Sequence, residues 1–597
     1  MKTDIYHADL CVVGGGMAGI CCAIAAARHG ANVVLMQERP MLGGNASSEN
    51  RMWVCGAKGE NNRETGIIEE IMLENLYRNP TKNFYIWDSI LLDFVKREER
   101  ITLFLNTACM DSRVEEGDFA HGRTRRLVSV KGYQMTTQTF IEVHASLFAD
   151  CSGDSILAPL SGAEFDYGRE AGSEYGEDTA VTARDKMVMG MSCLIQGRET
   201  DRPVPFIPSE RITRLTDEDV ARRPMDIYNT SENFWYLELG GAEDTIYGAE
   251  KTKDKLIPLA LGAWDYIKNS GKYDSKNWEL EFLGFLPAKR ESRRMRGEYV
   301  VTSKDITEGK IFPDTVAFGG WPLDDHFPAG YYHKGEPNRY IDTPAPYPLP
   351  YRCLYSKNVD NLFFAGRNIS MTHMAMSSIR VMATCALLGQ AVGCAASIAA
   401  KYKVSPHDVY LSHLSELQQA LMKDDCFLPH FKREFSDGCL RANLVGAEGS
   451  IRSGEDRANR IYGTSAAGCA VAHGSPVIYE LPYGETVRSV HIVFDSDLDR
   501  VTLPGDKCER THATRANILL DSPVMHMPKT LCRAFTLSAE AEGEETVLLS
   551  VDNNIKRAYH LALPEGKRLR KLKLTLTSNW GGTDTTNLIS FDFNSEE

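Results

Sequence analysis

Residues 8–45, ADLCVVGGGMAGICCAIAAARHGANVVLMQERPMLGGN, decide how the chain folds. The apolar start, residues 8–13, reads as a buried parallel strand that runs directly into Gly14, Gly16 and Gly19. An Ala-rich helix is predicted over 18–29, Gly30 ends it, and residues 32–36 predict a second strand leading to Glu38. In this G-x-G-x-x-G spacing the first glycine permits a tight turn and the second lets a pyrophosphate approach the backbone. The third lets helix and strand pack closely. The helix N-terminus stabilises phosphate charge, so Gly14, Gly16, Met17, Ala18 and Gly19 form one side of an expected dinucleotide site. Glu38 falls where a carboxylate accepts hydrogen bonds from a ribose diol and repels a 2′-phosphate. Such glycines alone also mark ordinary turns. Strand, turn, helix, strand and acid in this order predict a Rossmann-like α/β domain.

The next residues separate the candidate dinucleotides. Glu38-Arg39 followed by Leu42-Gly43-Gly44-Asn45-Ala46-Ser47-Ser48 resembles the second phosphate-contacting loop of FAD-dependent oxidoreductases, in the branch with the fumarate reductase and amine oxidase relatives. The resemblance implies that the acid holds the adenosine ribose, with Arg39 beside it. It also implies that Gly43, Gly44, Asn45 and Ser47 cover the pyrophosphate beside the flavin. NAD dehydrogenases usually lack this second glycine pair, so FAD is the expected cofactor. Trp53 and Cys55 would lie near the flavin if the loop continues toward the ring; core packing and an inert thiol are the plainer reading. Helices are expected over 66–77 and 87–99 and a strand over 101–106, after which the family brings backbone near Thr107-Ala108 to the adenine.

Two more boxes extend the resemblance. Strands are expected over 127–133 and 139–145, and then an apolar strand enters Asp150-Cys151-Ser152-Gly153-Asp154, which resembles the family's A-T-G-D box. Asp150, Gly153 and Asp154 are therefore expected at the cofactor, although Asp150 and Asp154 also suit turn and helix-cap roles. Residues 361–368, NLFFAGRN, and the apolar helix expected over 377–401 resemble the C-terminal FAD box. Gly366, Arg367, Asn368, Ser378, Arg380 and Val381 carry that match. Arg367 stands where the family has an acid, which leaves Asn368 for the ribityl contact. Ala383, Ala386, Gly389, Gly393 and Ala396 predict close packing of this helix on the sheet and the first helix. Its N-terminus would stabilise charge on the reduced flavin pyrimidine.

Between these boxes, residues 166–350 are more polar and lack a βαβ rhythm, as expected of an inserted α+β substrate domain. Lys289-Arg290-Glu291-Ser292-Arg293-Arg294-Met295-Arg296-Gly297 resembles an R-E-S-R-R box of a flavoprotein subgroup. Arginine suits the orientation of a carboxylate or polyol, so Arg290, Arg293 and Arg294 are candidates. Asp324-Asp325-His326 offers an imidazole beside carboxylates, able to take a hydroxyl proton. His373, read as lying in a loop that approaches the flavin, is favoured slightly over His326 as that base.

The chain has 597 residues, 15 cysteines and a net charge of −14. That length predicts several domains, and that charge disfavours a nucleic acid or anionic membrane as partner. The cysteines form no C-x-x-C pair or metal-ligand spacing, no metal is expected, and no run approaches the ~18 apolar residues of a membrane span. A cytoplasmic protein with reduced thiols is the resulting expectation. From residue 428 short strands, among them 477–481 and 489–494 with the turn signal 482–484 between them, predict a β-sandwich. Residues 552–557, DNNIKR, and the ending SNWGGTDTTNLISFDF resemble a galactose-binding-like module. The expected domains are 1–165 and 351–427 for FAD, 166–350 for substrate and 428–597 for the sandwich. The four boxes together resemble the FAD-dependent oxidoreductase family found in bacterial sugar-utilisation settings, and that resemblance implies an FAD-dependent dehydrogenase of a small polar substrate, a carbohydrate or sugar acid, with room for a homo-oligomer. An ene-reductase using Arg290 and Arg294, or a non-catalytic flavin-bearing glycan binder, stand as alternatives.

Overall fold

The structure is a computed structural model that describes residues 2–595 except 224, 229–232, 460–466, 501–513 and 515, and except the side chains of 482, 483, 564 and 565. The chain divides into two compact units. The first holds Met1–Ala57, Thr81–Leu417 and Val501–Val524; the second holds Lys58–Pro80, Gln418–Arg500 and Met525–Glu597.

The first unit is built on a seven-stranded sheet. Its strands are β1 (Lys2–Val13), β2 (Val33–Met36), β3 (Ile101–Phe104), β4 (Thr107–Glu116), β5 (Arg125–Gln134), β6 (Thr139–Asp150) and β7 (Leu362–Phe364). The order is β3-β2-β1-β6-β5-β4, with β7 also on β6. β1 pairs in parallel with β2 and β6, and β7 joins β6 in parallel, as a doubly wound domain requires. β4 and β5 add an antiparallel meander. The two strands expected over 139–145 and 147–150 are one: β6 pairs with β5 at its start and with β7 at its end. Twelve residues therefore carry the chain from the meander into the core.

The helices follow from local chemistry. α1 (Met17–Arg28) is buried from Met17 through Ala27, as its Ala, Ile and Cys content allows. α2 (Phe84–Lys96) begins three residues before the expected 87 because the Asn83 side chain accepts from the Tyr85 and Ile86 N–H groups. The helix expected over 377–401 is two: α3 (His373–Ile379), capped by Thr372, and α4 (Met382–Tyr402). Arg380 ends the first, and Val381, extended at ψ 143°, is the N-cap of the second. α4 packs against α1 through glycines. A Cβ on Gly389 would lie 2.0 Å from Ala18 O, and one on Gly393 2.3 Å from Cys22 O. Among the described residues α4 is the one helix long and apolar enough to cross a membrane, and its apolar window is 94% buried inside the fold. A separate core gathers around Trp264 and Trp278, between helix Ala249–Asn269 and strand Trp278–Leu283.

The second unit is all-β apart from short helices. Seven antiparallel strands, from Asn443–Val445 to Thr585–Asn594, surround one apolar core that includes Tyr479, Phe494, Phe535 and Phe591. Two expected strands, 477–481 and 489–494, are one strand, Pro476–Phe494, with a register break between Glu480 and Glu485 where a turn was expected. Helix Ile67–Arg78 belongs to this unit, and its Leu73 sits in the same core. Asn554 accepts from the Trp580 indole N–H at 2.8 Å and donates to Cys532 O, which ties the 552–557 turn to the strand ends.

Candidate active site

The carboxyl ends of β1, β6 and β7 converge. Gly14 N–H donates to Met36 O at 2.8 Å, Cys151 N–H to Val13 O at 2.8 Å and Ala365 N–H to Asp150 O at 3.1 Å. Ligands of doubly wound sheets bind at this edge. A Cβ on Gly14, whose φ is +105°, would lie 2.5 Å from the Cys151 carbonyl carbon, and one on Gly19 1.8 Å from Gly14 O. A Cβ on Gly16 would meet nothing within 4 Å. The first and third glycines are thus closed by protein while the second faces open space, as a pyrophosphate needs. No side chain caps α1 and no acid sits in its first turn, so its terminal N–H groups and dipole are left for an anion.

The second glycine loop lies against the first: Gly43 N–H donates to Gly15 O at 2.8 Å, and Gly16 and Gly43 form a bridge. Glu38 is exposed just past β2. Asn106 N–H donates to Arg39 O and Thr107 N–H to Gln37 O, which brings the start of β4, with Ala108, beside that acid. Several expected contact side chains are engaged by protein instead. Arg39 pairs with Glu49 at 2.7 Å, Asn45 donates to Lys289 O and Ser47 donates to Gly44 O. Asp150 is fully buried and accepts from Ser152 and Leu157 N–H, the turn and cap role; burial pushes its carboxyl up. Asp154 accepts from Lys289 and Arg367, and although burial opposes it, Arg367 and Lys289 hold its carboxyl well below the usual range. Gly153 adopts φ +76° beneath the Arg367 guanidinium. Asn368 is buried, donates to Asp150, and keeps Oδ1 without a partner close to Gly366. Ser378 donates to Trp321 O and meets Tyr347 OH, so its hydroxyl points into protein. Cys55 O accepts from Ala383 N–H at 2.9 Å, which sets Cys55 at the α4 N-terminus, and Trp53 is buried.

The strand Leu323–His326 organises a second set of charges, because alternate side chains point to opposite faces. On one face, His326 Nδ1 lies 2.6 Å from Glu238 and Nε2 lies 3.5 Å from Asp324. Arg290 reaches Glu238 at 3.3 Å and donates to Ser192 and to Trp235 O. Arg380 donates to Asp324, and its buried Nε has no partner. The Trp235 ring stands edge-on to His326 at 4.9 Å. Burial favours protonation of Glu238, but Arg290 and His326 outweigh it and hold the carboxyl below its ordinary range. Burial, eased by Glu238, lowers Arg290.

On the other face, Asp325 meets His373 Nε2 at 3.0 Å while Glu291 meets His373 Nδ1 at 2.8 Å. His373 is therefore not a loop residue but the first residue of α3, 3% exposed and held at both nitrogens. Burial works against its charge, yet Glu291 and Asp325 push its pKa up to about 10. Hydrogen-bonded to a carboxylate at each ring nitrogen, His373 has neither nitrogen turned to open space. Arg294 is equally committed. It donates to Glu291, Glu170, Gly168 O and Met371 O, and despite burial Glu170 and Glu291 push its guanidinium further up. Arg293 donates to Asp154 O and Tyr247 OH. Sequence reading missed Glu238 and Glu291. The signal for Glu238 was a lone acid in the apolar run 234–239; Glu291 lay inside the arginine-rich stretch, read for its cations alone.

The sequence matches the family described as FAD dependent oxidoreductase over residues 9–421. The chain belongs to that family. Solved structures similar to it include the myxobacterial chondrochloren halogenase, FAD-dependent, at 13% identity, covering 70% of this chain and 80% of that one with a TM-score of 0.33. The Escherichia coli quinol fumarate reductase subunit FrdA gives 13% identity, 70% and 74% coverage and 0.28. A family 32 carbohydrate-binding module from C. perfringens NanJ, in complex with galactose, gives 11% identity, covering 26% of this chain and 90% of that one, at 0.16. No curated protein matches the sequence.

The protein is an FAD-dependent oxidoreductase, and the residues present fit the cofactor. The open side of Gly16, the uncapped α1 N-terminus and the exposed Glu38 suit the pyrophosphate and ribose, and the orphaned Asn368 Oδ1 suits a ribityl hydroxyl. FAD, when bound, supplies the two-electron redox chemistry.

Proposed function

We propose that the protein oxidises a hydroxyl group of a small polar substrate, a carbohydrate or sugar acid, with His326 as general base. The observation that carries this reading is the His326–Glu238 pair, 2.6 Å apart and both buried. With Nδ1–H donating to Glu238, the lone pair lies on Nε2, the nitrogen aimed away from that bond. Proton uptake there forms an imidazolium that Glu238 and Asp324 stabilise, the same logic by which a carboxylate supports a catalytic histidine. Arg380, with its unpartnered Nε, is the free donor on this face and would orient a substrate oxygen. Arg290 holds Glu238 in place. Arg294, wholly engaged by protein acceptors, is not free to bind a substrate carboxylate, which weakens the ene-reductase alternative.

The test is anaerobic addition of sugars, sugar acids and unsaturated acids to the holoenzyme while following flavin absorbance. Bleaching by a sugar or sugar acid is expected. In His326→Asn the rate of bleaching should fall by about 10²–10⁴ with the flavin still bound, the range for loss of a general base. Reoxidation of reduced enzyme by an unsaturated acid, with no bleaching by any hydroxyl compound, would overturn the reading.

A further inference from the structure

A cavity of about 210 Å³ lies on the His373 face of the strand Leu323–His326. Its wall includes Glu177, Thr179, Phe327, Arg339 and His373. Glu177 is 3% exposed; its Oε1 accepts from Ser303 N–H at 2.6 Å and from the Thr372 hydroxyl at 2.8 Å, whereas Oε2 has no partner. Thr179 Oγ1 and Arg339 Nε are buried and likewise without partners. Three residues of one cavity wall thus carry orphaned polar atoms, a departure from the rule that buried polar groups are paired.

Their chemistry selects a ligand class. The carboxylate oxygen only accepts, the guanidinium N–H only donates, and the hydroxyl does either. A cation is opposed by Arg169, Arg339 and protonated His373 on the wall, and an anion by Glu170, Glu177 and Asp325. The guanidinium groups are already drawn to protein acceptors: Arg169 to Asp185, and Arg339, through Nη2, to Asp325 and Thr179 O. The orphaned atoms are a donor, an acceptor and a hydroxyl, the pattern met by neutral groups that donate and accept at once. Phe327, Val181 and Met374 offer apolar wall for C–H groups. The volume equals about seven waters at ~30 Å³ each, so one compact molecule would displace several. The Arg339 side chain, 40% exposed, marks the mouth.

The geometry points to a pocket for a neutral polyol, between a three-carbon triol and a monosaccharide in size, that donates to Glu177 Oε2 and accepts from Arg339 Nε. It lies across the strand from His326, and its occupancy is separate from the oxidation proposed above.

Calorimetric titration of the FAD-loaded protein with glycerol, erythritol, myo-inositol, glucose and galactose tests this. At least one should give saturable one-to-one binding, weakened at least tenfold by Thr179→Val and abolished by Ala180→Leu, which fills the hollow. A polyol that is also oxidised should show two binding events, of which these variants remove one. Flavin absorbance should be unchanged in both; if Ala180→Leu fails to fold, Thr179→Val decides alone. Absence of binding by every polyol, meaning ordered water only, overturns the proposal. So does binding that neither variant alters.

Discussion

His373 can be made to report its own charge. Its pKa is pushed up from 6.5 to about 10. At ~1.36 kcal/mol per unit, 3.5 units amount to about 5 kcal/mol of preferential stabilisation of the protonated ring. A pKa raised on folding contributes stability that is complete below the unfolded value and disappears as pH rises through the folded one. From pH 7 to pH 9 the contribution should fall by about 2–3 kcal/mol. Nitrogen-15 NMR of labelled histidines should find one ring still protonated at pH 8.5, and Asp325→Asn should lower its midpoint by removing one of the two carboxylates. Urea titrations at pH 7 and pH 9, followed by release of flavin fluorescence, should show the loss in wild type and a reduced loss in His373→Gln. A His373 signal that titrates near 6.5 would refute the reasoning, as would a pH dependence undiminished in His373→Gln.

Three further outcomes are expected. Gly389→Ala forces a Cβ to within 2.0 Å of Ala18 O, so α1 and α4 must separate; a loss of about 1–3 kcal/mol or more should appear as a lower melting temperature with weaker flavin retention. Arg294→Met leaves Glu170 buried without its cation and Glu291 with His373 alone, and thermal melting should register about 3–5 kcal/mol of destabilisation. Arg433→Met, in the second unit, removes the cation shared by Asp592 and Asp456 and should lower the melting of that unit by less than Arg294→Met, because Asp456 is partly exposed and Asp592 keeps His491 and Ser590, with FAD binding preserved.

The cofactor half of the site was legible because its chemistry is written in short-range patterns. Gly14 and Gly19 must be glycines because backbone closes on them, and Gly389 and Gly393 for reasons of helix contact, so their spacing carries the geometry. The charged half was not. Whether His326 or His373 is the base depends on Glu238 and Glu291, which are 88 and 82 residues away in sequence. No local pattern states that two carboxylates close on one imidazole. The broken helix was missed for a related reason: Arg380-Val381 contains no glycine or proline, and the break follows from tertiary bonds, Arg380 to Asp324 and Ala383 N–H to Cys55 O. In the second unit alternation marked most strands, but not that two of them continue through the 482–484 turn signal as one.

The glycine contact between α1 and α4 also shapes how the protein is made. α1 is apolar on almost every side, and the helix that covers it lies about 370 residues later in the chain. At a synthesis rate of ~5–20 residues per second, the first helix leaves the ribosome roughly 20–75 s before its partner exists. For that interval the face of α1 that α4 covers in the finished fold has no partner, and the contacts through Gly389 and Gly393 close only late in synthesis.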